Sequence, residues 1–279
     1  FRLFLNSKEC VFFINLHYIC TMFKQRVQKF IDEAGLLMPG GKVLVALSGG
    51  ADSVALLRVL MDINYSVVAA HCNFHLRGEE SNRDEAFVRS LCEDLSIPLH
   101  VTHFDTSAYA NERGISIEMA ARELRYEWFE QLRIGLGIES IAVAHHRDDS
   151  VETFLLNLIR GTGINGLKGI APKNGHIIRP LLRETRVSIE EYLHAIKQEY
   201  VTDTTNLQDE YMRNKIRLKI LPMMRELNPS VSESIFKTSC RLNEVADIYN
   251  RERARSLSSI MMKESDGSFR VSIDGIRKD

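Results

Sequence analysis

Residues 42–53 have the sequence KVLVALSGGADS, in which an apolar, β-branched run leads directly into a glycine turn. Such a run is typical of a strand that is buried on both faces of a parallel sheet. The residues that follow, SVALLRVLMDI at 53–63, place their apolar side chains at helical spacing. A buried strand, a glycine turn and a helix in this order predict the first half of a β–α–β unit.

The same alternation of buried strands and helices continues to residue 160. Further strands are predicted at 66–74, 99–105 and 140–146, and further helices at 23–37, 80–95, 116–134, 148–160 and 188–199. The fold class is therefore α/β, a Rossmann-like parallel sheet with helices on both faces, followed by a smaller helical segment at 213–260. Ligands bind such sheets at the carboxyl ends of the strands, so the loops after the first, second and fourth strands are expected to carry the chemistry.

Bulk composition favours no particular partner. The formal net charge is -1, so any contact with a nucleic acid must come from local basic patches. The five cysteines are scattered and include no CxxC pair. This argues against a disulfide framework, a structural zinc site and a cysteine-ligated cluster, and it favours a reducing, cytoplasmic setting. No membrane partner is expected, because Lys8 and Glu9 interrupt the apolar N-terminal residues.

The glycine turn after the first strand has the features of an anion-binding loop. Glycines let the backbone approach an anion, successive N–H groups form a nest, and the next helix adds its positive end. The loop is neither a Walker A motif nor GxGxxG. Its SGGxDS form resembles the pyrophosphate-binding PP-loop of ATP pyrophosphatases, although a plain strand-to-helix turn is the alternative. The residues predicted to bind the nucleotide are Ser48, Gly49, Gly50, Ala51, Asp52 and Ser53.

A carboxylate beside a phosphate nest is repelled unless a cation lies between them. We therefore predict that Mg²⁺ bridges Asp52 and the phosphates of ATP. Asp149, which follows the fourth strand at the same sheet edge, is the second predicted metal ligand. A zinc site is not expected there, because HHRDD lacks the spacing of a zinc motif. The alternative for Asp148 and Asp149 is a helix cap.

Three further groups of polar residues lie near the same edge. His71, Asn73 and Arg77 follow the second strand and His145 follows the fourth, and we assign these four to nucleotide binding. A polar strand edge with a solvated arginine is the alternative for the first three. Arg122 and Arg125 are three residues apart on a predicted helix and point the same way, although a solvated charged face is equally consistent.

Two segments are candidates for substrate contacts. RGTGINGLKGI at 160–170 contains four glycines in nine residues, which indicates a flexible covering loop; a plain linker is the alternative. RNKIR at 213–217 is basic and could follow RNA phosphates, as could the run at 251–255, for which a solvated helix face is the better interpretation. The substrate-contact candidates are Arg122, Gly161, Gly163, Asn165, Arg213, Lys215 and Arg217.

Taken together, these segments resemble the tRNA(Ile)-lysidine synthetase family. The matching blocks run in family order from about 43 to 217: SGGADS, HCNFHLR, AARELRY, AHHRDDSVET, RGTGINGLKGI with RPLL, and TDTTN with RNKIR. The resemblance implies that ATP adenylates the C2 oxygen of the wobble cytidine in an isoleucine tRNA with a CAU anticodon. The ε-amine of free L-lysine then displaces AMP, with ATP and Mg²⁺ as cofactors.

The implied chemistry assigns further roles. Lysine must lose a proton before it attacks, so a carboxylate is expected as the base, either Asp149 or Asp148. The predicted catalytic set is Asp52, Asp149 and Arg125. Phe74 and Tyr126 are candidates for stacking on a cytidine that is flipped out of the RNA. The oligomeric state stays open, with a dimer as one option.

The sequence pattern divides the chain into three segments. Residues 1–21 are predicted to be a non-native or disordered extension, 22–212 the PP-loop catalytic domain, and 213–279 a helical linker that begins a truncated C-terminal domain. The last residues, SDGSFRVSIDGIRKD, are predicted to start a β-hairpin that lacks its partner strand.

Three other functions compete with this interpretation. A tRNA 2-thiolation enzyme of the same superfamily usually needs paired cysteines, which this sequence lacks. GMP and NAD synthetases lack the AARELRY and RGTGINGLKGI blocks. A nucleotide-binding module without catalysis would leave Asp52 and Asp149 with no chemical task.

Overall fold

The computed structural model of the chain describes residues 7–202, 212–264 and 266–272. Residue contacts divide it into two units. The first unit comprises residues 1–149 and 171–208, and the second comprises residues 150–170 and 209–279. This division lies close to the predicted boundary at 212, but it also assigns the segment 150–170 to the second unit. The predicted catalytic and C-terminal domains stay predictions.

The first unit alternates strands and helices along most of its length. Its elements are α1 Ser7–Glu33, β1 Lys42–Ala46, α2 Ala51–Asp62, β2 Ser66–Asn73, α3 Glu79–Asp94, β3 Leu99–His103, α4 Thr106–Arg113, α5 Ile117–Gly135, β4 Ser140–Ala142, the start of α6 Arg147–Ile159, β5 Lys173–Asn174, β6 Ile177–Ile178 and α7 Arg186–Ala195.

The six strands form one sheet in the order β3-β2-β1-β4-β6-β5. β1 pairs in parallel with both β2 and β4, so Val43 lies between Val67 and Ser140. The strands β1, β2 and β3 follow one another from the centre of the sheet to one edge, whereas β4 lies on the other side of β1. This reversal opens a crevice at the carboxyl ends of β1 and β4, where ligands bind in open α/β sheets. The predicted α/β class is confirmed, with β5 as an additional antiparallel edge strand.

Alternate residues of the strands are buried on opposite faces of the sheet. Leu44, Val68 and Ala70 pack with Phe129 of α5 in one hydrophobic cluster. Val43, whose side chain points to the other face, is equally buried. Burial on both faces explains why the strands of this sequence are continuous apolar runs and not alternating ones.

Two features of the first unit differ from the sequence-based expectation. Helix α1 begins at Ser7, well before the predicted start at 23, so it includes part of the segment 1–21 that was predicted as an extension. Helix α4 was not predicted, because its composition is polar. It forms because Asp105 caps its first turn through Ala108 N and Gly114 ends it in the left-handed conformation.

The second unit is helical with a small hairpin. It contains the rest of α6, then α8 Met212–Lys215, a π-helical turn Ile216–Ile220, α9 Leu221–Leu227, α10 Val231–Ile260, β7 Met261–Lys263 and β8 Phe269–Val271. Val151, Phe154 and Leu155 of α6 share a core with Ile216 and Ile235. The expectation that the terminal hairpin lacks a partner was wrong, because β7 pairs antiparallel with β8.

The π-helical turn has a local cause in Pro222. Proline has no N–H, so it cannot donate to the carbonyl four residues earlier, at Leu218. The Leu221 N–H reaches back five residues to Ile216 O, and this widens the helix by one residue at that point. Among the helices in the described parts of the chain, none is both long and apolar enough to cross a bilayer.

Candidate active site

The loop between β1 and α2 has the geometry of an anion cradle. Gly49 has a φ of 93°, and its carbonyl accepts a hydrogen bond from Val201 N at 2.9 Å. Gly50 is the N-cap of α2 and offers no side-chain acceptor, so the first N–H groups of this helix are not capped by a side chain. The Ser53 hydroxyl donates to Gly50 O at 2.9 Å and lies 3.0 Å from the Ser48 hydroxyl. The loop is therefore fixed internally before any anion arrives.

Replacing Gly49 by alanine is expected to distort this loop. Its positive φ is strained for a residue with a Cβ, and that Cβ would meet Val88 at 3.4 Å and Phe87 at 3.5 Å. We expect Gly49→Ala to lower the free energy of unfolding by about 1–3 kcal/mol and to weaken ATP binding. Urea unfolding and equilibrium binding of ATP measure the two effects. Gly135→Ala is the matched control, because a Cβ there meets no atom within 4 Å and φ is not positive.

Three aspartates converge on His146 at the crevice beside this loop. His146 Nε2 lies 3.7 Å from Asp52 Oδ2 and 3.6 Å from Asp149 Oδ2, and its Nδ1 lies 3.7 Å from Asp148 Oδ2. Arg186, the first residue of α7, places Nη1 2.7 Å from Asp52 Oδ2 and donates its backbone N–H to Asp148. The structure thus brings Asp52 and Asp149 close to each other, with His146 and the Arg186 guanidinium next to them.

The environment of Asp52 fits a divalent cation. Burial raises the pKa of Asp52, although His146 and Arg186 act in the opposite direction. Its Oδ1 is buried and has no hydrogen-bond partner. The described residues contain no preformed group of three metal-ligating side chains. Mg²⁺ commonly takes one or two carboxylates and completes its shell with water and phosphate oxygens, so this arrangement suits Mg²⁺ better than Zn²⁺.

A cavity of about 470 Å³ opens between the phosphate loop and helix α5. The loop with Asp52 lines one side, and Arg122 and Arg125 line another, together with His145 and Arg186. The arginines lie on rings: Arg125 is 5.1 Å from the ring centre of Phe74, and Arg122 is 4.9 Å from that of Tyr126. The two predicted stacking residues therefore each carry a guanidinium on one face. Of the TDTTN block, Thr202 lines the cavity and residues 203–206 lie outside the described residues.

The three residues predicted from the second strand have partners inside the protein. His71 is buried and its Nδ1 lies 2.8 Å from Leu47 O, at the end of β1. Asn73 donates to Glu85 at 2.9 Å, and Arg77 pairs with Asp84 at 2.7 Å. These contacts give His71 a supporting role for the phosphate loop. Direct nucleotide contact by His71, Asn73 and Arg77 stays a prediction.

In the second unit, the predicted covering loop is ordered by contacts of its own. Gly161 has a φ of 71°, and the Asn157 side chain donates to Gly166 O at 2.7 Å. Asn165 exchanges hydrogen bonds with Asn250 of α10 at 2.9 and 3.3 Å. Gly163 has open space around its Cα. Substrate contact by Gly161, Gly163 and Asn165 stays a prediction.

The basic segment 213–217 pairs with a buried carboxylate. Arg217 makes two hydrogen bonds to Glu152, at 2.6 and 3.0 Å, and Glu152 is 1% exposed. Arg213 donates to Thr153 and lies 3.8 Å from Glu152, whereas Lys215 is exposed. The bidentate bond to Glu152 gives Arg217 a structural task that the sequence did not indicate. Contact with tRNA stays a prediction for all three cations.

We expect Arg217→Ala to destabilise the second unit by about 2–3 kcal/mol, because it leaves the buried Glu152 carboxylate with a weaker partner. Chemical unfolding followed by circular dichroism measures the effect. Lys215→Ala removes a neighbouring charge from an exposed position, so its unfolding curve should match that of the unmodified chain. Equal curves for Arg217→Ala and Lys215→Ala would contradict the structural role of Arg217.

Sequence reasoning missed four participants: His146, Glu152, Arg179 and Arg186. His146 and Glu152 belong to the HHRDDSVET block, so a helical projection of that block could have indicated them. Arg179 opens the RPLL block, but that motif did not indicate its contact with His145. Arg186 carries no local signal, since single arginines near a helix start are common on protein surfaces.

Comparison with known proteins agrees with this geometry. The PP-loop domain family matches residues 19–224. A tRNA(Ile)-lysidine synthase from Bacteroides thetaiotaomicron is 63% identical over 230 residues, which are 82% of this chain and 54% of that protein. The enzyme of the same name from Clostridium perfringens is 40% identical over 248 residues, covering 87% of this chain and 53% of its own length. The chain spans about half the length of the curated relatives that it matches.

Solved structures show the same fold at low sequence identity. A U34-tRNA thiolase, NcsA from Methanococcus maripaludis with its [4Fe-4S] cluster, superposes with a TM-score of 0.66 at 19% identity, covering 82% of this chain and 80% of that one. NMN synthetase from Francisella tularensis gives a TM-score of 0.51 at 13% identity, with coverage of 78% and 92%. From the family match over most of its length and from the fold, we conclude that this chain belongs to the PP-loop domain family of ATP-binding domains.

Proposed function

We propose that this chain carries the catalytic part of a tRNA(Ile)-lysidine synthase. It would ligate free L-lysine to C2 of the wobble cytidine in an isoleucine tRNA with a CAU anticodon, releasing AMP and pyrophosphate. The observation that carries the proposal is one cavity with a phosphate loop and Asp52 on one side and Arg122 and Arg125 on another. The names of the curated relatives support the same activity.

The phosphate loop suits the first half of such a reaction. The uncapped N-terminus of α2 and the hydroxyls of Ser48 and Ser53 would bind the phosphates of ATP. Asp52 and Asp149 would hold Mg²⁺, which neutralises charge on the phosphates when it is bound. Arg186 already pairs with Asp52, so it would keep the cluster balanced while ATP is absent. His145, which lines the cavity, is assigned to the nucleotide.

The second half requires a base and a stabiliser of negative charge. Asp149 accepts the backbone N–H of His146 at 3.0 Å, which fixes its carboxylate at the start of α6. In this proposal Asp149, or the neighbouring Asp148, takes the proton from the ε-amine of lysine. Arg125 and Arg122 would stabilise the departing phosphate of AMP, because a fixed guanidinium beside an oxyanion needs no rearrangement during the reaction.

RNA binding would use exposed cations of the second unit. Lys215 is exposed and available for a phosphate contact, whereas Arg213 and Arg217 would act from positions next to Glu152. Gly161, Gly163 and Asn165 are assigned to the tRNA and lysine. The net charge of -1 is consistent with a restricted contact area and not with a broad basic surface.

The proposal is tested with α-labelled ATP, Mg²⁺, lysine and unmodified isoleucine tRNA. Release of AMP that requires both tRNA and lysine, together with lysine incorporated into RNA, is the expected result. Because the curated relatives are about twice as long, the same assay on a full-length relative serves as the positive control. AMP released without lysine incorporation would show adenylation of a different acceptor and would contradict the proposal.

The first alternative is a tRNA 2-thiolation enzyme, since a solved relative in fold is a tRNA thiolase. Sulfur transfer needs a reactive thiolate or a cluster. Cys72 lines the cavity, but burial raises its pKa to about 12, and burial raises the pKa of Cys92 to about 11. Burial thus disfavours the thiolate form of both cysteines, which argues against sulfur transfer through either of them.

The second alternative is a nucleotide-binding module without catalysis. A passive site has no need for a buried carboxylate that lacks a hydrogen-bond partner, as Asp52 Oδ1 does. The measurement that separates the two is turnover: a module binds ATP and releases it unchanged, even when tRNA and lysine are both present.

A further inference from the structure

Arg179 lies immediately after β6 and makes an unusual contact with His145. Its side chain is largely buried, with only 7% of the residue exposed. Nε donates to His145 Nδ1 at 3.3 Å, and Nη1 donates to Ala171 O at 2.7 Å. Arginine pairs most often with carboxylates, so a guanidinium that donates to a neutral ring nitrogen calls for a physical explanation.

The contact fixes where the proton of His145 resides. A guanidinium has only donors, so the ring nitrogen that faces it must present a lone pair. Nδ1 is therefore unprotonated, and the neutral ring carries its proton on Nε2. Adding a proton to Nδ1 would set one N–H against another and would place two cations in contact, which is unfavourable in a partly buried site.

The surroundings of Arg179 explain why a neutral acceptor serves here. Burial lowers the pKa of Arg179, Tyr126 acts against that change, and Arg122 adds to it. Arg179 thus lies within electrostatic range of Arg122, which lines the cavity together with Arg125. A protonated His145 ring would add a further positive charge here and increase the repulsion.

We infer that Arg179 is a positioning residue that holds His145 in the Nε2–H form, so that His145 offers the cavity a hydrogen-bond donor and not a base. The inference deepens the proposed function and, in its consequences for catalysis, rests on it. His145 then binds an acceptor atom of the nucleotide, either an oxygen or an unprotonated ring nitrogen. The proton of the lysine amine must go to a carboxylate, Asp149 or Asp148.

His71 provides an internal reference of the opposite kind. Its Nδ1 lies 2.8 Å from the carbonyl oxygen of Leu47, which can only accept a hydrogen bond. A neutral His71 therefore carries its proton on Nδ1. The same protein thus contains a half-buried histidine, His145, and a buried one, His71, in opposite tautomeric forms, and one spectrum can distinguish them.

The test is ¹⁵N NMR of the full chain with labelled histidine at pH 7.5, where long-range couplings identify the protonated ring nitrogen. His145→Gln assigns the His145 signals. We expect Nε2–H for His145 and Nδ1–H for His71. Arg179→Met should abolish the preference at His145, and Arg179→Lys, which keeps a donor, should restore it. The control is Arg183→Met. Arg183 lies in the same segment as Arg179 but pairs with Glu33, so this substitution should leave the tautomers of His145 and His71 unchanged.

Equilibrium binding of ATP gives a second readout. Loss of one oriented donor should weaken ATP binding by roughly threefold to tenfold in Arg179→Met, with recovery in Arg179→Lys. A His145 ring protonated on Nδ1 in the unmodified chain would overturn the inference, as would an unchanged tautomer in Arg179→Met. If Arg179→Met does not fold, the test rests on the unmodified chain and on Arg179→Lys. The inference then requires that His145 is protonated on Nε2 in both.

These outcomes separate the inference from the proposed function, because neither measurement requires tRNA or lysine. A chain with the expected tautomers that incorporates no lysine keeps the inference and loses the proposed function. A chain that makes lysidine but has His145 protonated on Nδ1 supports the proposed function and overturns the inference.

Discussion

Asp52→Asn is expected to reduce the release of AMP and pyrophosphate by about a thousandfold, the effect of losing several kcal/mol of charge stabilisation. Asparagine keeps the shape of the side chain and can still accept from Arg186, but it carries no charge to hold a cation beside the phosphates. The substitution removes the carboxylate charge, which the buried and unpartnered Oδ1 shares with Oδ2. Pyrophosphate release at saturating tRNA and lysine measures the effect.

The control for this substitution is Asp94→Asn, which removes a carboxylate from an exposed position of α3 and should leave the rate unchanged. A thermal melt of Asp52→Asn should show a folded protein, because burial raises the pKa of Asp52 and its charge is therefore a burden on the free protein. Activity within tenfold of the unmodified chain would contradict a cation-binding role for Asp52.

Asp149→Asn is expected to slow the attack of lysine, the second step, more than the adenylation of the tRNA, the first step. The introduced asparagine can still accept the backbone N–H of His146, so the start of α6 should persist. It cannot take a proton from the lysine amine, and loss of a general base lowers a rate by about 10²- to 10⁴-fold. Lysine incorporation should fall by that factor, while formation of the adenylated tRNA falls less. Single-turnover assays with labelled ATP and labelled lysine measure the two steps separately.

Asp148→Asn distinguishes the two candidate bases. Asp148 accepts the backbone N–H of Arg186 at 2.9 Å, so its amide variant also keeps the local hydrogen bond. Normal lysine incorporation in Asp149→Asn with loss in Asp148→Asn would assign the base to Asp148. Normal incorporation in both would exclude a carboxylate base and would return His145 to consideration.

The fold could be predicted because its signals are local. The apolar run of β1, the turn at 48–50 and the helical spacing after it lie within about twenty residues of sequence, and each determines its own backbone conformation. Helix α4 was missed for a related reason. A polar segment is helical in one context and a loop in another, and in α4 the cap at Asp105 decides.

The candidate site could be predicted only in part. The proximity of Asp52 and Asp149 could be predicted, because both follow buried parallel strands and such strands end at one edge of a sheet. Their role as metal ligands stays a prediction. Arg186 could not be found in this way, since it is 134 residues from Asp52 in the chain and lies at the start of a helix. The bond between Arg217 and Glu152, which lies 65 residues earlier, could not be found in this way either.

By itself, the sequence determined most of the segments that form strands and helices, where the anion-binding turn lies, and which family the chain resembles, because these depend on neighbouring residues. Only the tertiary structure decided which charges are paired. Arg186 with Asp52, Arg217 with Glu152 and Arg179 with His145 are contacts between distant segments. Their energies depend on burial and on distances of a few ångströms, and these quantities exist only after the chain has folded.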